Sequence, residues 1–127
     1  MAPKPGKESR HRPRFSVRDI SVSFEERTLL GLVKGRSGKG ISSNLSETGL
    51  AFLTRESVDR GKHLRLTLKA DTAMITVRLE GKVARCREVK VGAKDHAYQV
   101  GVSVGKPPED FIRLVRMVRA DQMLGLR

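Results

Sequence analysis

The sequence predicts a mostly β protein: a small antiparallel β-barrel of six or seven strands, with a C-terminal α-helix and a flexible basic N-terminal arm. Apolar and polar residues alternate over most of the chain, as they do in strands that bury one face. Short polar or glycine-containing segments separate these runs and predict tight connections between strands. The alternation changes to a helical spacing of apolar residues after residue 107. With 127 residues, the chain has the length of one ordinary domain with one core.

The first 14 residues (MAPKPGKESRHRPR) predict an arm outside the core. They hold three of the five prolines, have no aliphatic side chain beyond Met1 and Ala2, and are dense in positive charge. Such a segment buries too little apolar area to offset the entropy lost on ordering. We therefore expect a flexible arm over residues 1–14, a barrel over residues 15–106, and a helix of the same domain over residues 107–125.

The run FSVRDISVSFE predicts a long, bent first strand. Its alternation slips by one position near Arg18 and Asp19, which predicts a β-bulge. Residues 27–34 (RTLLGLVK) predict a weaker extended segment, and the sequence identifies no partner for the apolar residues 29–33. Residues 35–40 (GRSGKG) predict a glycine-rich loop that leads into the short run ISSN.

Four further runs predict the remaining strands. After the turn NLSETG they are LAFLT, KHLRLTLKA, MITVRLEGKVARCREV and AYQVGVSVG. The second and fourth alternate strictly, and Gly81 in the third predicts a bulge. Cys86 follows the alternation of Lys82 and Ala84 and fits a small, half-buried residue better than a reactive thiol.

The segment PPEDFIRLVRMVRADQMLG predicts one amphipathic helix of about four turns. Prolines and acids precede it and Gly125 ends it, as expected for helix termini. Arg113, Arg116 and Arg119 form a basic stripe beside the apolar one. A helix of this kind can lie on an anionic membrane, but we favour one whose apolar side closes an end of the barrel.

The charge balance predicts an anionic partner. The chain has 26 Lys and Arg against 14 Asp and Glu, a formal net charge of +12, and this produces a strong positive potential. Its one cysteine allows no internal disulfide and fits a reducing compartment. We find no signal peptide pattern and no long apolar run, so we expect a cytoplasmic protein without a membrane span.

The sequence shows no pattern of catalytic residues. His11, His63 and His96 have no nucleophilic Ser or Cys in a recognisable motif beside them. Paired carboxylates at helical or strand spacing are absent from the sequence as well. The stretch GRSGKG lacks the first glycine and the Ser or Thr of a phosphate-binding P-loop. We therefore expect neither an enzyme nor a metal or cofactor site.

Two short stretches hold residues suited to an anionic, base-containing ligand. Arg10 and Arg14 lie on the arm, and the planar fork of arginine donates paired hydrogen bonds to a phosphate or to the O6 and N7 edge of guanine. In NLSETG, Asn44 offers an acceptor and a donor to a base edge, and Ser46 can donate to a phosphate oxygen. Gly49 permits a close backbone approach or a positive φ. Taken separately, the stretches also fit a solvated tail and an ordinary turn.

In this order the two stretches resemble the signature of PilZ domains, which bind the bacterial second messenger cyclic di-GMP. That signature is RxxxR just before the first strand and [D/N]xSxxG between two strands, about thirty residues later. The similarity runs from about residue 10 to the terminal helix. It includes the segments LAFLT, GKHLRLTL, GKVAR and YQVGVSV.

The resemblance implies a PilZ-like barrel with a binding site for cyclic di-GMP. Arg10 and Arg14 would clamp guanine and phosphate, and Arg12 would add an electrostatic or stacking contact. Asn44, Ser46 and Gly49 would form the second half of the site. The family often has Asp at position 44, so Asn44 keeps the acceptor but loses the charge.

The polar, basic composition of the arm predicts a mode of signalling for such a ligand. The doubly anionic ligand would order the arm over the barrel and change a surface that an effector protein bound in trans recognises. Motility, pilus function and exopolysaccharide control are the processes that the resemblance suggests. A stacked pair of ligands would need basic side chains beyond the two motifs, and Arg18, Arg36 and Lys39 are the candidates.

Two rival hypotheses stay open at the level of sequence. One is a basic barrel that binds nucleic acid, although residues for base stacking are scarce, with one Tyr, four Phe and no Trp. The other is a PilZ-type adaptor that has lost its ligand and acts by protein contacts alone. The complete set of motif residues favours the receptor over the adaptor.

Overall fold

The structure, a computed structural model, describes residues 16–27 and 35–125. The predicted arm, with Arg10, Arg12 and Arg14, lies outside the described residues. Residues 29–33 of the predicted extended segment lie outside them as well. The barrel, the helix and the NLSETG motif fall within the described ranges.

Six strands of the described residues form a closed antiparallel barrel. Neighbours around the ring follow the order β1-β2-β3-β6-β5-β4, and β4 pairs with β1 to close it. The prediction of a small antiparallel barrel is confirmed. The strands are β1 (Ile20–Glu26), β2 (Ser37–Ser46), β3 (Gly49–Thr54), β4 (His63–Ala70), β5 (Ile75–Lys90) and β6 (His96–Ser103).

The apolar residues of the alternating runs fill the inside of the barrel. Along β4 every second residue is buried, and Leu64, Leu66 and Leu68 are at most 1% exposed. The rings of Phe24 and Phe52 meet in the interior, with centroids 5.4 Å apart. Burying such a side chain contributes about 1.5–3 kcal/mol. A slip of one residue would turn this whole set towards water, so burial fixes the register of the strands.

The C-terminal helix α1 (Glu109–Gly125) covers the barrel with its apolar side. Its buried residues belong to the same core as the strands, and the helix packs against β2 and β5. Arg113, Arg116 and Arg119 are exposed, as the sequence predicts. Within the described ranges no helix is both long and apolar enough to cross a membrane. The buried residues of α1 are Phe111, Leu114, Val115 and Val118.

The start of the barrel differs from the prediction. The slip at Arg18 and Asp19 is a 3₁₀ turn over Val17–Asp19 and not a bulge. The backbone N–H of Asp19 donates to the Ser16 carbonyl at 3.0 Å, and the Ser16 N–H donates to the Asp19 carboxylate at 2.8 Å. Both a turn and a bulge shift the alternation by one position, so spacing alone does not distinguish them. The first strand therefore begins only at Ile20.

The glycine-rich stretch predicted as a loop belongs mostly to a strand. From Ser37 onward it forms β2, which pairs with β1 on one side and β3 on the other. At Gly40 a Cβ atom would collide with the carbonyl oxygen of Leu53 on β3. Glycine here allows two strands to pack closely, whereas sequence patterns usually associate it with chain reversal.

The bulge of β5 lies three residues beyond the predicted position. Gly81 pairs regularly with β4, but the pairing of β5 with β6 shifts between Val83 and Arg85 and leaves Ala84 as the extra residue. A bulge inverts the alternation of every residue beyond it. Cys86 therefore packs partly buried against the core, and the arginines on either side of it face outward.

Candidate functional site

The second motif forms a hairpin on the outside of the barrel. Asn44 and Ser46 lie at the end of β2, Glu47 and Thr48 make the turn, and Gly49 begins β3. The Ser46 hydroxyl donates to the carbonyl oxygen of Gly49 at 3.3 Å and lies 3.4 Å from the Thr48 hydroxyl. Both distances are long for hydrogen bonds between oxygens. The hydroxyl is therefore weakly held and can rotate towards a ligand.

A bulge in β2 turns Asn44 outward. The pairing of β2 with β3 shifts between Ser42 and Asn44, with Ser43 as the extra residue. Regular alternation would place Ser42 and Asn44 on the same face. Ser42 is instead fully buried, whereas Asn44 is exposed. The bulge thus brings the carboxamide of Asn44 to the outer face, beside Ser46.

Asn44 and Ser46 form one side of a groove of about 390 Å³ that crosses β2, β3, β6 and β5. One row of cross-strand partners runs straight across it, from Asn44 through Ala51 and Gly101 to Arg85. Three strand spacings of about 4.8 Å give this row a width of about 14 Å. The small residues in the middle of the row leave room for a flat ligand near the backbone.

Two glycines of the groove have different reasons for being glycine. A Cβ atom at Gly49 would lie 2.5 Å from the backbone carbonyl oxygen of Val102 on β6. Among the described glycines a positive φ occurs at Gly61 and not at Gly49, so close packing explains the motif glycine. At Gly101 the nearest atom to an added Cβ would be the Arg85 Cγ at 3.4 Å, an ordinary contact. Gly101 therefore keeps the floor of the groove low.

Two arginines of β5 form the opposite side of the groove. Nε and Nη2 of Arg87 both donate to the Gln99 side-chain oxygen, at 3.1 and 2.9 Å. Arg85 lies over Gly101 and has no hydrogen bond or ion pair with any described residue. No carboxylate is found among the described residues that line this groove. Two uncompensated guanidinium groups favour an anionic ligand.

A larger groove of about 670 Å³ lies over β1, β2, β4 and β5. Two carboxylates line it, and Arg65 lies 3.8 Å from Glu25 and 3.9 Å from Glu80. Glu80 also pairs with Arg27 at 2.8 Å. These carboxylates cancel part of the positive charge of the larger groove, whereas none lines the described part of the smaller one, so the smaller groove is the better site for an anion.

A model of the PilZ domain matches residues 8–120 of the chain. The chain belongs to the PilZ domain family. The resemblance inferred from the two motifs is therefore confirmed, and the match extends from within the predicted arm into α1.

This PilZ domain is similar in fold to the Borreliella burgdorferi PlzA protein, in a crystal structure of its complex with c-di-GMP. The TM-score is 0.53 and the sequence identity is 12%, so the likeness concerns the fold. The match covers 83% of this chain and 45% of the PlzA chain, so this chain spans less than half of that one. A comparison with curated proteins gives no match.

Three of the predicted site residues, Asn44, Ser46 and Gly49, line one groove of the PilZ barrel. The first motif lies outside the described residues, but the chain enters the barrel near this groove. Ser21 pairs with Ile41 in antiparallel strands, so the residues before Ser21 lie towards the motif end of β2. The 3₁₀ turn that precedes β1 packs against β2 accordingly.

The two groove arginines are the residues that sequence reasoning missed. The sequence predicts a bulge at Gly81, whereas the bulge that turns Arg85 outward is at Ala84 and is defined by the pairing of β5 with β6. Two of the basic residues that the sequence suggests for a second ligand lie away from this groove: Arg36 donates to the Ser57 carbonyl at 2.8 Å, and Lys39 lines the larger groove. Arg18 is exposed on the 3₁₀ turn. Among the described residues no group of His, Cys, Asp and Glu is arranged to hold a metal ion.

Proposed function

We propose that this PilZ domain is a receptor for cyclic di-GMP and binds the dinucleotide in the groove between the β2 hairpin and β5. The observation that supports this best is that Asn44, Ser46 and Gly49 line a single groove whose charged residues are arginines. A cyclic dinucleotide has two phosphates and two guanines. It needs cations, base-reading groups and a floor of small residues, and all three occur together here.

Each residue of the second motif has a role that follows from its chemistry. The exposed carboxamide of Asn44 presents an acceptor and a donor to a guanine edge. The Ser46 hydroxyl leaves its long bond to Gly49 and donates to a phosphate oxygen. Gly49 has no side chain, so β3 packs closely against β6 at the hairpin end of the groove.

The first motif, RxxxR, supplies the remaining contacts to the ligand in this proposal. Arg14 precedes Ser16, the first described residue, by two positions, and two residues span at most about 7 Å. Arg10 and Arg14 reach over the hairpin end of the groove and bind guanine and phosphate, and Arg12 adds a weaker electrostatic contact. The bound dinucleotide of PlzA and the family membership support the choice of ligand, and the roles of the three arginines rest on the motif.

Signalling follows from ordering of the arm. A polar segment with little apolar surface gains structure only from contacts to a ligand. When the dinucleotide supplies those contacts, residues 1–14 fold over the barrel and present a changed surface. We propose that a cytoplasmic effector protein bound in trans recognises this surface, in control of motility or exopolysaccharide production.

The test is calorimetric titration of cyclic di-GMP into the wild type, Arg14→Ala and Ser46→Ala. We expect saturable binding at micromolar or lower concentration in the wild type. Arg14→Ala should abolish it, because a bidentate charged contact is lost. Ser46→Ala should weaken it several-fold, because one neutral hydrogen bond is lost.

The controls are GTP and a short single-stranded oligonucleotide, each at two salt concentrations. No heat with cyclic di-GMP, together with salt-sensitive binding of the oligonucleotide, would replace the receptor by a nucleic-acid-binding barrel. No heat with any of the three ligands would support an adaptor that acts through protein contacts alone.

A further inference from the structure

We propose that Arg85 and Arg87 are ligand-binding residues and that they hold a phosphate of the dinucleotide on the β5 side of the groove. Gln99 positions Arg87 for this contact. The inference rests on the proposed function, since it assigns further residues to the same site. Neither arginine belongs to the RxxxR or [D/N]xSxxG motif.

The first argument is the bulge at Ala84. A bulge removes a regular pair from the ladder and bends the strand, and it often re-aims a side chain near a functional site. Without it, Arg85 would alternate in phase with the buried Val83 and face the core. With it, Arg85 is directly opposite Gly101 and faces outward. The bulge of β2 does the same for Asn44, in the same row of cross-strand partners.

The second argument is the orientation and charge of the Arg87 guanidinium group. Two of its N–H groups, on Nε and Nη2, already bind the Gln99 oxygen. This fork fixes the plane of the group and leaves its other N–H groups for a ligand. The partner is a neutral amide, so the positive charge is not cancelled. By contrast, Arg27 is paired with the Glu80 carboxylate. Arg87 is thus both oriented and still charged.

The third argument is the space at Arg85. Its Cγ lies over Gly101 on β6, where the absence of a side chain keeps the floor of the groove low beside the arginine. It has no partner among the described residues, although an unpaired guanidinium prefers a bidentate acceptor such as phosphate. The floor residues Ala51 and Gly101 separate it from Asn44. A ligand that spans the groove therefore meets base-reading groups on one side and cations on the other.

The experiment measures the affinity for cyclic di-GMP of Arg85→Ala and Arg87→Ala, with Arg78→Ala as the matched control. Arg78 is an exposed arginine of the same strand that lines the larger groove, so its removal changes the net charge equally. We expect each groove variant to bind about tenfold more weakly or worse. The control should stay within about twofold, because exposed charges away from the site are largely screened. Circular dichroism and thermal unfolding establish that all variants are folded.

A double-mutant cycle tests the positioning role of Gln99. Gln99→Leu removes the acceptor but keeps the size of the side chain, so it should weaken binding about threefold to tenfold. The same change added to Arg87→Ala should cause no further loss, because there is no guanidinium left to orient. A full additional loss in the double variant would show that Gln99 acts on its own.

The outcomes separate this inference from the proposed function. If the wild type binds, Arg14→Ala abolishes binding and both β5 variants match Arg78→Ala, the receptor stands and the role of Arg85 and Arg87 is refuted. Equal weakening in all three variants would also refute it, because the effect would then be one of net charge. If the wild type does not bind cyclic di-GMP, both proposals fail together.

Discussion

Replacing Gly49 with alanine will destabilise the barrel, whereas the same replacement at Gly101 will leave its stability close to that of the wild type. The Cβ of an alanine at position 49 would lie 2.5 Å from the Val102 carbonyl oxygen. In protein structures a Cβ atom essentially never lies within 3.0 Å of such a non-bonded atom. Strands β3 and β6 would have to separate by at least the difference, 3.0 − 2.5 = 0.5 Å. At position 101 the nearest atom would be the Arg85 Cγ at 3.4 Å, which needs no rearrangement.

The magnitude follows from two opposing effects. Overpacking against a backbone atom that cannot rotate away costs about 1–3 kcal/mol. Replacing glycine by alanine also restricts the unfolded chain and stabilises the fold by about 0.4–1 kcal/mol. Gly49→Ala should therefore lose about 1–2 kcal/mol, or about 4–8 °C in Tm for a domain of this size. Gly101→Ala has only the second effect and should change Tm by at most about 4 °C, upward.

The assay is urea unfolding of both variants, followed by far-ultraviolet circular dichroism. A lower midpoint for Gly49→Ala with an unchanged slope would establish that native packing is lost. Equal midpoints for Gly49→Ala and the wild type would refute the reasoning, because the motif glycine would then serve the ligand alone. Gly101→Ala raises the floor of the groove, so it should weaken binding of cyclic di-GMP without a loss of stability.

Three further predictions concern single side chains. Asn44→Asp should bind cyclic di-GMP a few-fold more tightly, because a carboxylate accepts stronger hydrogen bonds from guanine N–H groups; weaker binding in calorimetry would mean that the amide donor matters more. Leu66→Ala should lose about 2–5 kcal/mol in urea unfolding, since its side chain is 1% exposed, and a loss below about 1 kcal/mol would contradict the assigned core. Arg27→Ala should lower the free energy of unfolding by less than about 1 kcal/mol, because the ion pair with Glu80 is half exposed. A loss above about 1 kcal/mol that persists at high salt would show that solvent and salt do not screen this pair.

The sequence by itself determined the elements with strong local periodicity. Strands such as β4 bury one face, so the alternation of leucines with polar residues predicts both the strand and its buried side. The helix was equally predictable, because Phe111 and Val118 lie at helical spacing between recognisable termini. The motif around Asn44 was predictable as a turn between strands. The roles of Arg10 and Arg14 stay predictions, since both lie outside the described residues.

Only the tertiary structure decided which strands meet and where their alternation is interrupted. The stretch from Ser37 is a strand because β1 and β3 pair with it on both sides, although its glycines suggest a loop. The bulge at Ala84 exists in relation to β6, so no spacing within β5 alone locates it. The groove that joins Asn44 to Arg85 depends on both bulges and on the barrel order. The physical reason is that periodicity depends on residues that are close in the sequence. The register of strand pairing depends on contacts between residues far apart in the chain.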